Sequence, residues 1–257
     1  MTSLKGLLKK IVPEPVLSGY RTYKVSRLRK RNETLSAREV FTGIYENNEW
    51  GGRPGEYCSG SGSTEAYSIA YAEIVKRFIS ENGIRQVVDL GCGNFSVGGQ
   101  LVSSEIGYVG VDIVEGLIAR NSLLFAREGV SFECLDIVED ELPDGELCLI
   151  RQVLQHCSND QIRTILGKLS KYRYVLLTEH YPAPEVSVIP NIDKPHGADT
   201  RLINHSAVYL DQPPFNLRLS GCLLEVEYRE YVVVEGETLR TLLIEPGNAG
   251  IGVHATA

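Results

Sequence analysis

The sequence lacks any apolar run close to the ~18–20 residues that a membrane-spanning helix needs, and no continuous apolar stretch follows the early lysines as in a signal peptide. We therefore expect a cytoplasmic protein. Its six cysteines include no C-x-x-C pair, and several lie in apolar, strand-like stretches. This pattern excludes a usual zinc cluster or disulfide framework, so reduced thiols packed in the interior are expected.

Charge is unevenly distributed along the chain. Residues 1–31 contain nine Lys and Arg but a single Glu, whereas the whole chain has a formal net charge of −7. The strongly acidic remainder argues against a broad nucleic-acid surface. In "LKGLLKKIV" the apolar side chains recur at helical spacing, with lysines toward the other side. We predict a basic helical segment over residues 1–35, peripheral to an anionic inner-membrane face, or alternatively packed on the acidic body or on a second subunit.

The next stretch, residues 36–64, is rich in glycine, serine and aromatic residues. It is too aromatic for a flexible linker and too rich in glycine for a regular element, so we predict an ordered loop. A helix is predicted from Thr64, with Gly83 as the left-handed residue that ends it.

After this helix, strand-like and helical patterns alternate. The strand-like stretches are "IRQVVDL", "YVGVDI", "VSFECLD", "LCLIRQVLQH" and "YRYVLLTEH", and the S-x-x-Q capping box of Ser158 and Gln161 begins a helix between the last two. The alternation predicts an α/β fold, a doubly wound parallel sheet with helices on both faces. "CLLEVEYREYVVV" and "ETLRTLLIE" predict an antiparallel hairpin at its edge. The domain would cover residues 65–257, with a proline-rich, lid-like insertion at about 181–217.

Glycines and carboxylates follow the predicted strands where each strand ends. Asp89 ends the first strand just before Gly91 and Gly93, Asp112 ends the second, and Asp136 follows the third. Ligands of open parallel sheets bind beyond the carboxyl ends of the strands. The two glycines let a ligand approach the main chain, Asp112 can accept hydrogen bonds from both hydroxyls of a ribose, and Asp136 can reach the edge of an adenine ring.

The turn discriminates between two nucleoside ligands. A dinucleotide site has the pattern G-x-G-x-x-G, but Ser96 stands in place of the third glycine. The carboxylate of Asp89 also suits an amine-bearing cationic ligand better than a pyrophosphate. S-adenosylmethionine (SAM) carries a sulfonium and an ammonium where a dinucleotide carries phosphates. We predict SAM as cofactor and S-adenosylhomocysteine as its product.

These residues resemble the class I SAM-dependent methyltransferases over roughly residues 65–180. "DLGCG" matches the D-x-G-x-G motif of that superfamily, "GVDIV" its second-strand acidic motif and "CLDI" its third-strand motif. The resemblance implies a Rossmann-like sheet and methyl transfer. The cofactor-binding residues that we predict are Asp89, Gly91, Gly93, Asp112, Ile113, Asp136, Ile137 and Arg151. Arg151 could instead satisfy carbonyl groups at the end of its strand.

A narrower resemblance extends over more of the chain. "YENNEWGG", "SGSGS", "RQVLQHCSN" and "GADTRLINHSAVYLDQPPFNL" are similar to a bacterial subfamily often associated with polysaccharide, capsule or other surface-glycan loci. The resemblance implies O-methylation of a sugar or of a substituent on one. In the late segment Asp199-Thr200-Arg201 stands where that subfamily has an acidic-aromatic-Arg core, so Asp199 and Arg201 are candidate substrate-binding residues.

His156 is the candidate catalytic residue. It lies just past the fourth strand, where the acceptor sites of methyltransferases face the methyl group, and histidine is the usual general base for a hydroxyl near pH 7. The alternative is a histidine that packs at a helix start. Further substrate-binding candidates are Tyr45 and Trp50 as an aromatic platform, Gln152 and His180. Packing onto the core is the alternative for the two aromatic residues.

Other functions remain open at this point. Glu179, His180, Asp199 and His205 are acceptable metal ligands, but their spacing matches no fixed metal motif, so no metal is predicted. The partner is predicted to be a small-molecule or glycan acceptor. A methyltransferase for a free small metabolite and a SAM-binding regulatory module without turnover are the alternatives, and an acidic main body disfavours RNA. The sequence does not indicate an oligomeric state.

Overall fold

The computed structural model of the 257-residue chain describes residues 14–229 and 236–246. Within them, seven strands form a single sheet. These are β1 (Gln86–Leu90), β2 (Gly107–Asp112), β3 (Val130–Cys134), β4 (Leu147–Arg151), β5 (Tyr174–Tyr181), β6 (Gly221–Glu227) and β7 (Thr238–Ile244).

The strand order is β3-β2-β1-β4-β5-β7-β6. Neighbours among β1 to β5 pair in parallel, whereas β7 pairs antiparallel with both β5 and β6. The predicted doubly wound sheet with an antiparallel C-terminal pair is therefore confirmed. Strand order reverses between β1 and β4, which places a ligand-binding crevice at their carboxyl ends.

The described residues include five α-helices. They are α1 (Glu14–Asn32), α2 (Ala37–Glu46), α3 (Glu65–Asn82), α4 (Glu115–Phe125) and α5 (Asn159–Lys168). Two predicted boundaries are confirmed by their local hydrogen bonds. Gly83 ends α3 in the left-handed conformation with φ of 62°, and Ser158 with Gln161 forms a complete capping box at the start of α5.

The predicted loop over residues 36–64 is wrong for its first part, which forms α2. Ser36 and Glu39 make a capping box, in which the Ser36 amide donates to the Glu39 carboxylate at 2.8 Å. Val40 and Ile44 then bury one face of the helix. A capping box and an apolar i, i+4 pair are sufficient to begin a helix, and the many glycines lie only after Glu46.

The basic N-terminal segment is described only from residue 14 onward. There it forms α1, and the side-chain amide of Asn32 at its end donates to the backbone carbonyl of His196 at 3.1 Å. The predicted apolar stripe of "LKGLLKKIV" lies outside the described residues. None of the helices in the described part of the chain is long and apolar enough to cross a membrane.

Two apolar layers bury the faces of the sheet. On one face Val75 and Phe78 of α3 pack with strand residues, and on the other Ile162 and Ile165 of α5 do so. Burial of this apolar surface removes it from water and holds β1 and β4 side by side. Their carboxyl ends are thereby fixed as one rigid edge, on which the candidate site is built.

The connection between β5 and β6 is packed against the body of the protein for much of its length. It contains a 3₁₀ turn at Arg201–Asn204, and Val208 and Leu210 join the apolar layer around α5. Ala198 and Thr200 face the cavity described below. That the segment closes as a lid over the acceptor stays a prediction.

Candidate active site

A cavity of about 240 Å³ lies at the carboxyl ends of β1, β2, β4 and β5. Its walls include most of the site residues predicted from the sequence. Those are Tyr45, Trp50, Asp89, Gly91, Gly93, Asp112, Ile113, Asp136, Ile137, Arg151, Gln152, His156 and His180. The topology therefore brings residues as far apart in the sequence as Tyr45 and His180 into one crevice, at the point where strand order reverses.

The glycine turn after β1 leaves no room for side chains. Gly91 has φ of +80°, and a Cβ there would lie 2.3 Å from Cγ2 of Val153. Gly93 has φ of +54°, and a Cβ there would lie 2.4 Å from Oγ of Ser59. Both positions combine a left-handed backbone with close packing, so only glycine fits. The floor of the cavity at this turn is consequently bare main chain.

Asp112 is tied to this turn by its carboxylate. Its Oδ2 accepts a hydrogen bond from the amide of Gly93 and its Oδ1 one from the amide of Val114, both at 3.1 Å. Burial raises the pKa of Asp112 to about 6 despite these contacts. A carboxylate has about four acceptor positions, so this one can also accept from a hydroxyl group of a ligand. The arrangement suits a vicinal diol such as that of a ribose.

Asp89 and Arg151 form the charged part of the floor. Asp89 accepts a hydrogen bond from the Tyr108 hydroxyl at 2.5 Å, and burial raises its pKa to about 6. The Arg151 guanidinium lies 5.0 Å from the centre of the Tyr71 ring and donates to the carbonyl of Gly62 at 2.6 Å. Opposite charges on one cavity floor suit a ligand that carries both an ammonium and a carboxylate.

His156 also lines the cavity. Its Nδ1 lies 3.0 Å from the carbonyl oxygen of Gly197, which can only accept, so Nδ1 carries the proton. Nε2 carries the lone pair and accepts a long hydrogen bond, 3.4 Å, from the side-chain amide of Gln155. Burial lowers the pKa of His156 to about 4. The imidazole is therefore neutral at pH 7 in a fixed tautomer, as a general base requires.

Aromatic side chains line the wall beside His156. The Trp50 ring lies 5.1 Å from the imidazole and 5.3 Å from the Tyr45 ring, and its Nε1 donates to the carbonyl of Ala198 at 3.3 Å. Phe41 of α2 packs at 6.2 Å from the indole. These residues pack the N-terminal part onto the core and also line the cavity. That Tyr45 and Trp50 form an aromatic platform for a ligand stays a prediction.

Gln152 and His180 lie on the remaining side. Gln152, just after β4, has φ of 55°, an unfavourable conformation for a residue with a side chain. Its amide donates to the carbonyl of Thr178 at 2.7 Å, which holds it there. Nε2 of His180 lies 3.1 Å from the buried carboxylate of Glu237, and its ring contacts Tyr228 at 4.3 Å.

The structure does not bring Asp199 and Arg201 into the cavity, in contrast to the predicted substrate contacts. Arg201 is 1% exposed and donates to the carbonyls of Cys157 and Ile192. Asp199 accepts from the guanidinium of Arg29. A buried cation must be satisfied locally, and both residues use their polar atoms to fix the segment that forms the cavity wall.

Several wall residues were not predicted from the sequence. They include Phe41, Ser59, Tyr71, Gln155 and Tyr228. The capping box of Ser36 and Glu39 could have identified α2 and hence the position of Phe41. Tyr228 lies just beyond β6 and reaches the cavity through the pairing of β6 with β7 and through contacts with residues distant in sequence, so no local pattern marks it.

Among the described residues, no group of three or more His, Cys, Asp or Glu side chains is arranged to hold a metal ion. The carboxylate of Glu179 accepts hydrogen bonds from the amides of Leu154 and Gln155 at 2.8 and 3.2 Å. Glu179 thus supports the turn that carries His156.

Comparison with known proteins identifies the fold. No protein-family model and no curated protein matches the chain. Magnesium protoporphyrin IX methyltransferase from Synechocystis PCC 6803, solved with SAM, is similar at a TM-score of 0.52 and 15% identity over 82% of this chain and 97% of that one. The 1,6-didemethyltoxoflavin-N1-methyltransferase of Burkholderia thailandensis, solved with its substrate and S-adenosylhomocysteine, has a TM-score of 0.52 and 15% identity over 80% and 85%. The chain has the Rossmann-like fold of class I methyltransferases.

Proposed function

We propose that this protein is a SAM-dependent methyltransferase. One observation carries the proposal: a bare glycine turn, a diol-binding carboxylate and a neutral buried histidine face one cavity at the sheet's reversal point. The first two features suit the nucleoside of SAM, and the third suits proton removal from an acceptor. The shared fold of the two methyltransferases named above supports the same assignment.

The residues present fit SAM. Gly91 and Gly93 have no side chains and leave the main chain of the turn uncovered at the cavity, and the carboxylate of Asp112 can accept from the ribose hydroxyls. Asp89 and Arg151 would hold the ammonium and the carboxylate of its amino-acid part. When bound, SAM supplies a methyl group made electrophilic by the adjacent sulfonium.

The chain's own contribution to the reaction is alignment and proton removal. The rigid floor and the aromatic wall restrict the positions of two bound reactants, and such restriction alone accelerates a displacement strongly. Nε2 of His156 can take the proton that a hydroxyl acceptor must lose, while the carbonyl of Gly197 stabilises the resulting imidazolium through Nδ1. Glu179 holds the backbone of this turn in place.

For the acceptor we propose the hydroxyl of a sugar or of a sugar substituent. The half-buried indole of Trp50 beside the base offers an apolar face for a sugar ring, and Gln152, Gln155 and His180 offer polar groups at its edge. A free small metabolite with a nucleophilic hydroxyl is the second candidate. The sequence resemblance to glycan-associated relatives favours the sugar.

Binding of S-adenosylhomocysteine is expected to weaken as pH falls below about 6. The carboxyls of Asp89 and Asp112 have pKa values raised to about 6, so each takes up a proton below that pH and loses its acceptor charge. Each protonation lowers affinity up to about tenfold per pH unit. Calorimetric titrations between pH 5 and pH 7.5 measure this slope.

Asp112→Asn serves as the matched variant in these titrations. It removes the charge but keeps the shape, so affinity at pH 7 should fall and the pH slope should become shallower, with Asp89 alone contributing. A wild-type affinity that is constant from pH 5 to pH 7.5 would contradict the placement of both carboxylates at the ligand. Absence of any S-adenosylhomocysteine binding at pH 7.5 would remove the proposed function itself.

Turnover separates an enzyme from a binding module. Methyl-labelled SAM is incubated with three panels of acceptors: nucleotide sugars, free glycosides, and small hydroxylated metabolites. Label transfer to a sugar hydroxyl is expected. Transfer only to the third panel would select the alternative acceptor, and tight S-adenosylhomocysteine binding with no transfer to any panel would indicate a module without turnover.

A further inference from the structure

We propose that Arg29, in the basic helix α1, is a positioning residue for the active site, acting through Asp199 on the wall segment 196–199. The inference rests on the proposed function for the role of His156, but its structural basis is independent of that role. Arg29 and Asp199 are 170 positions apart in the chain. Their contact ties the N-terminal helix to the backbone that orients two cavity side chains.

Two consecutive carbonyl groups of the wall segment orient the reactive wall. The carbonyl of Gly197 accepts from Nδ1 of His156 at 3.0 Å, and the amide of Gly197 donates to the His156 carbonyl at 3.0 Å. The next carbonyl, of Ala198, accepts from Nε1 of Trp50 at 3.3 Å. The tautomer of His156 and the tilt of the indole therefore depend on where this short backbone lies.

Helix α1 holds that backbone at both ends. Oδ2 of Asp199 accepts from Nε of Arg29 at 3.0 Å and from its Nη2 at 2.6 Å. At the other end of the segment, the side-chain amide of Asn32 donates to the backbone carbonyl of His196 at 3.1 Å. The Arg29 and Asp199 side chains are only 20% and 14% exposed, so solvent screens the pair weakly. Contacts of this kind define orientation as well as energy.

Arg29 is not needed to neutralise Asp199, because a second cation lies beside the same carboxylate. Its contribution is to hold the wall segment 196–199 in place. Nζ of Lys194, which is fully buried, lies 3.7 Å from Oδ1 of the same carboxylate. Loss of Arg29 leaves Asp199 beside a cation, whereas loss of Asp199 leaves two cations without their shared anion. An Arg29 variant thus removes the contact between α1 and Asp199, keeps the contact of Asn32 with His196, and leaves no uncompensated buried charge at Asp199.

Trp50 is the single tryptophan of the chain, so its fluorescence reports on this wall directly. Arg29→Gln is compared with Arg27→Gln, which changes an exposed arginine of the same helix. Losing a charge-assisted contact shifts a local equilibrium by about tenfold or more. We expect stronger acrylamide quenching and red-shifted emission of Trp50 in Arg29→Gln, unchanged spectra in Arg27→Gln, and wild-type S-adenosylhomocysteine affinity in both.

The tautomer of His156 provides the second readout. Nitrogen shifts of labelled histidine, assigned with His156→Gln, should show a protonated Nδ1 in wild type and in Arg27→Gln but tautomer exchange in Arg29→Gln. Arg29→Lys keeps the charge with one donor group and should restore most of both signals. If Arg29→Gln does not fold, Arg29→Lys is the test, and a small loss of both signals relative to wild type and to Arg27→Gln is then expected.

Equal quenching and equal histidine shifts in the Arg29 and Arg27 variants would overturn the positioning role. The role would also be overturned if Arg29→Gln and Arg29→Lys both lost the two signals and both lost global stability. That pattern belongs to a purely structural contact. Failure of the proposed function is distinguishable, since it shows as absent S-adenosylhomocysteine binding in the wild-type protein while the Trp50 difference persists.

Discussion

Replacing His156 with alanine is expected to lower kcat about 10²–10⁴-fold while the affinity for S-adenosylhomocysteine stays close to that of the wild type. The imidazole is neutral at pH 7 because burial lowers its pKa to about 4, and its Nδ1 proton is directed to the Gly197 carbonyl. Nε2 is therefore the atom positioned to accept a proton. The floor that would bind the cofactor, around Gly91 and Asp112, is not altered by this change.

The control for this variant is His205→Asn. His205 is exposed and lies outside the cavity lining, and its left-handed backbone with φ of 51° is one that asparagine tolerates. Turnover of labelled SAM with an acceptor found in the panels measures kcat for each protein. Wild-type kcat in His156→Ala would assign the imidazole to the wall of the cavity and not to proton transfer.

Gly91→Ala is expected to abolish detectable S-adenosylhomocysteine binding and to destabilise the protein. The left-handed backbone costs a side chain ~1–2 kcal/mol, and an overpacked contact costs a further ~1–3 kcal/mol. The observed φ of +80° and the 2.3 Å approach of a Cβ to Cγ2 of Val153 place both costs at this position. The free energy of unfolding from urea titrations and calorimetric binding measure the two effects.

Two further variants make the cause specific. Gly167→Ala, on an exposed part of α5 where an added Cβ meets nothing within 4 Å, should stabilise the protein by about 0.5–1 kcal/mol. The double variant Val153→Ala, Gly91→Ala removes the close contact with Cγ2 of Val153. It should therefore recover the part of the lost free energy of unfolding that comes from overpacking, but not the part that comes from backbone strain. Wild-type stability and binding in Gly91→Ala would show that the turn does not form the ligand floor.

The features that the sequence predicted correctly are those encoded over a few neighbouring residues. Alternating strand and helix patterns defined the parallel sheet, because a buried strand and an amphipathic helix each follow a local apolar period. The capping box of Ser158 and Gln161 and the end of α3 at Gly83 depend only on contacts within one turn. The same locality put Asp89, Gly91 and Asp112 on the cavity lining, since each lies at or directly after the end of a strand. Their binding of a cofactor stays a prediction.

Tertiary structure alone decided which polar residues face the cavity and which are used to hold its walls. The sequence predicted both Asp199 and Arg201 as ligand contacts. In the structure Asp199 is hydrogen-bonded to Arg29 instead, and Arg201 to the carbonyls of Cys157 and Ile192. Pairing over 170 positions depends on how α1 crosses the connection after β5. A local pattern specifies a strand end or a turn, but a buried charge is satisfied by whichever group the folded chain places beside it.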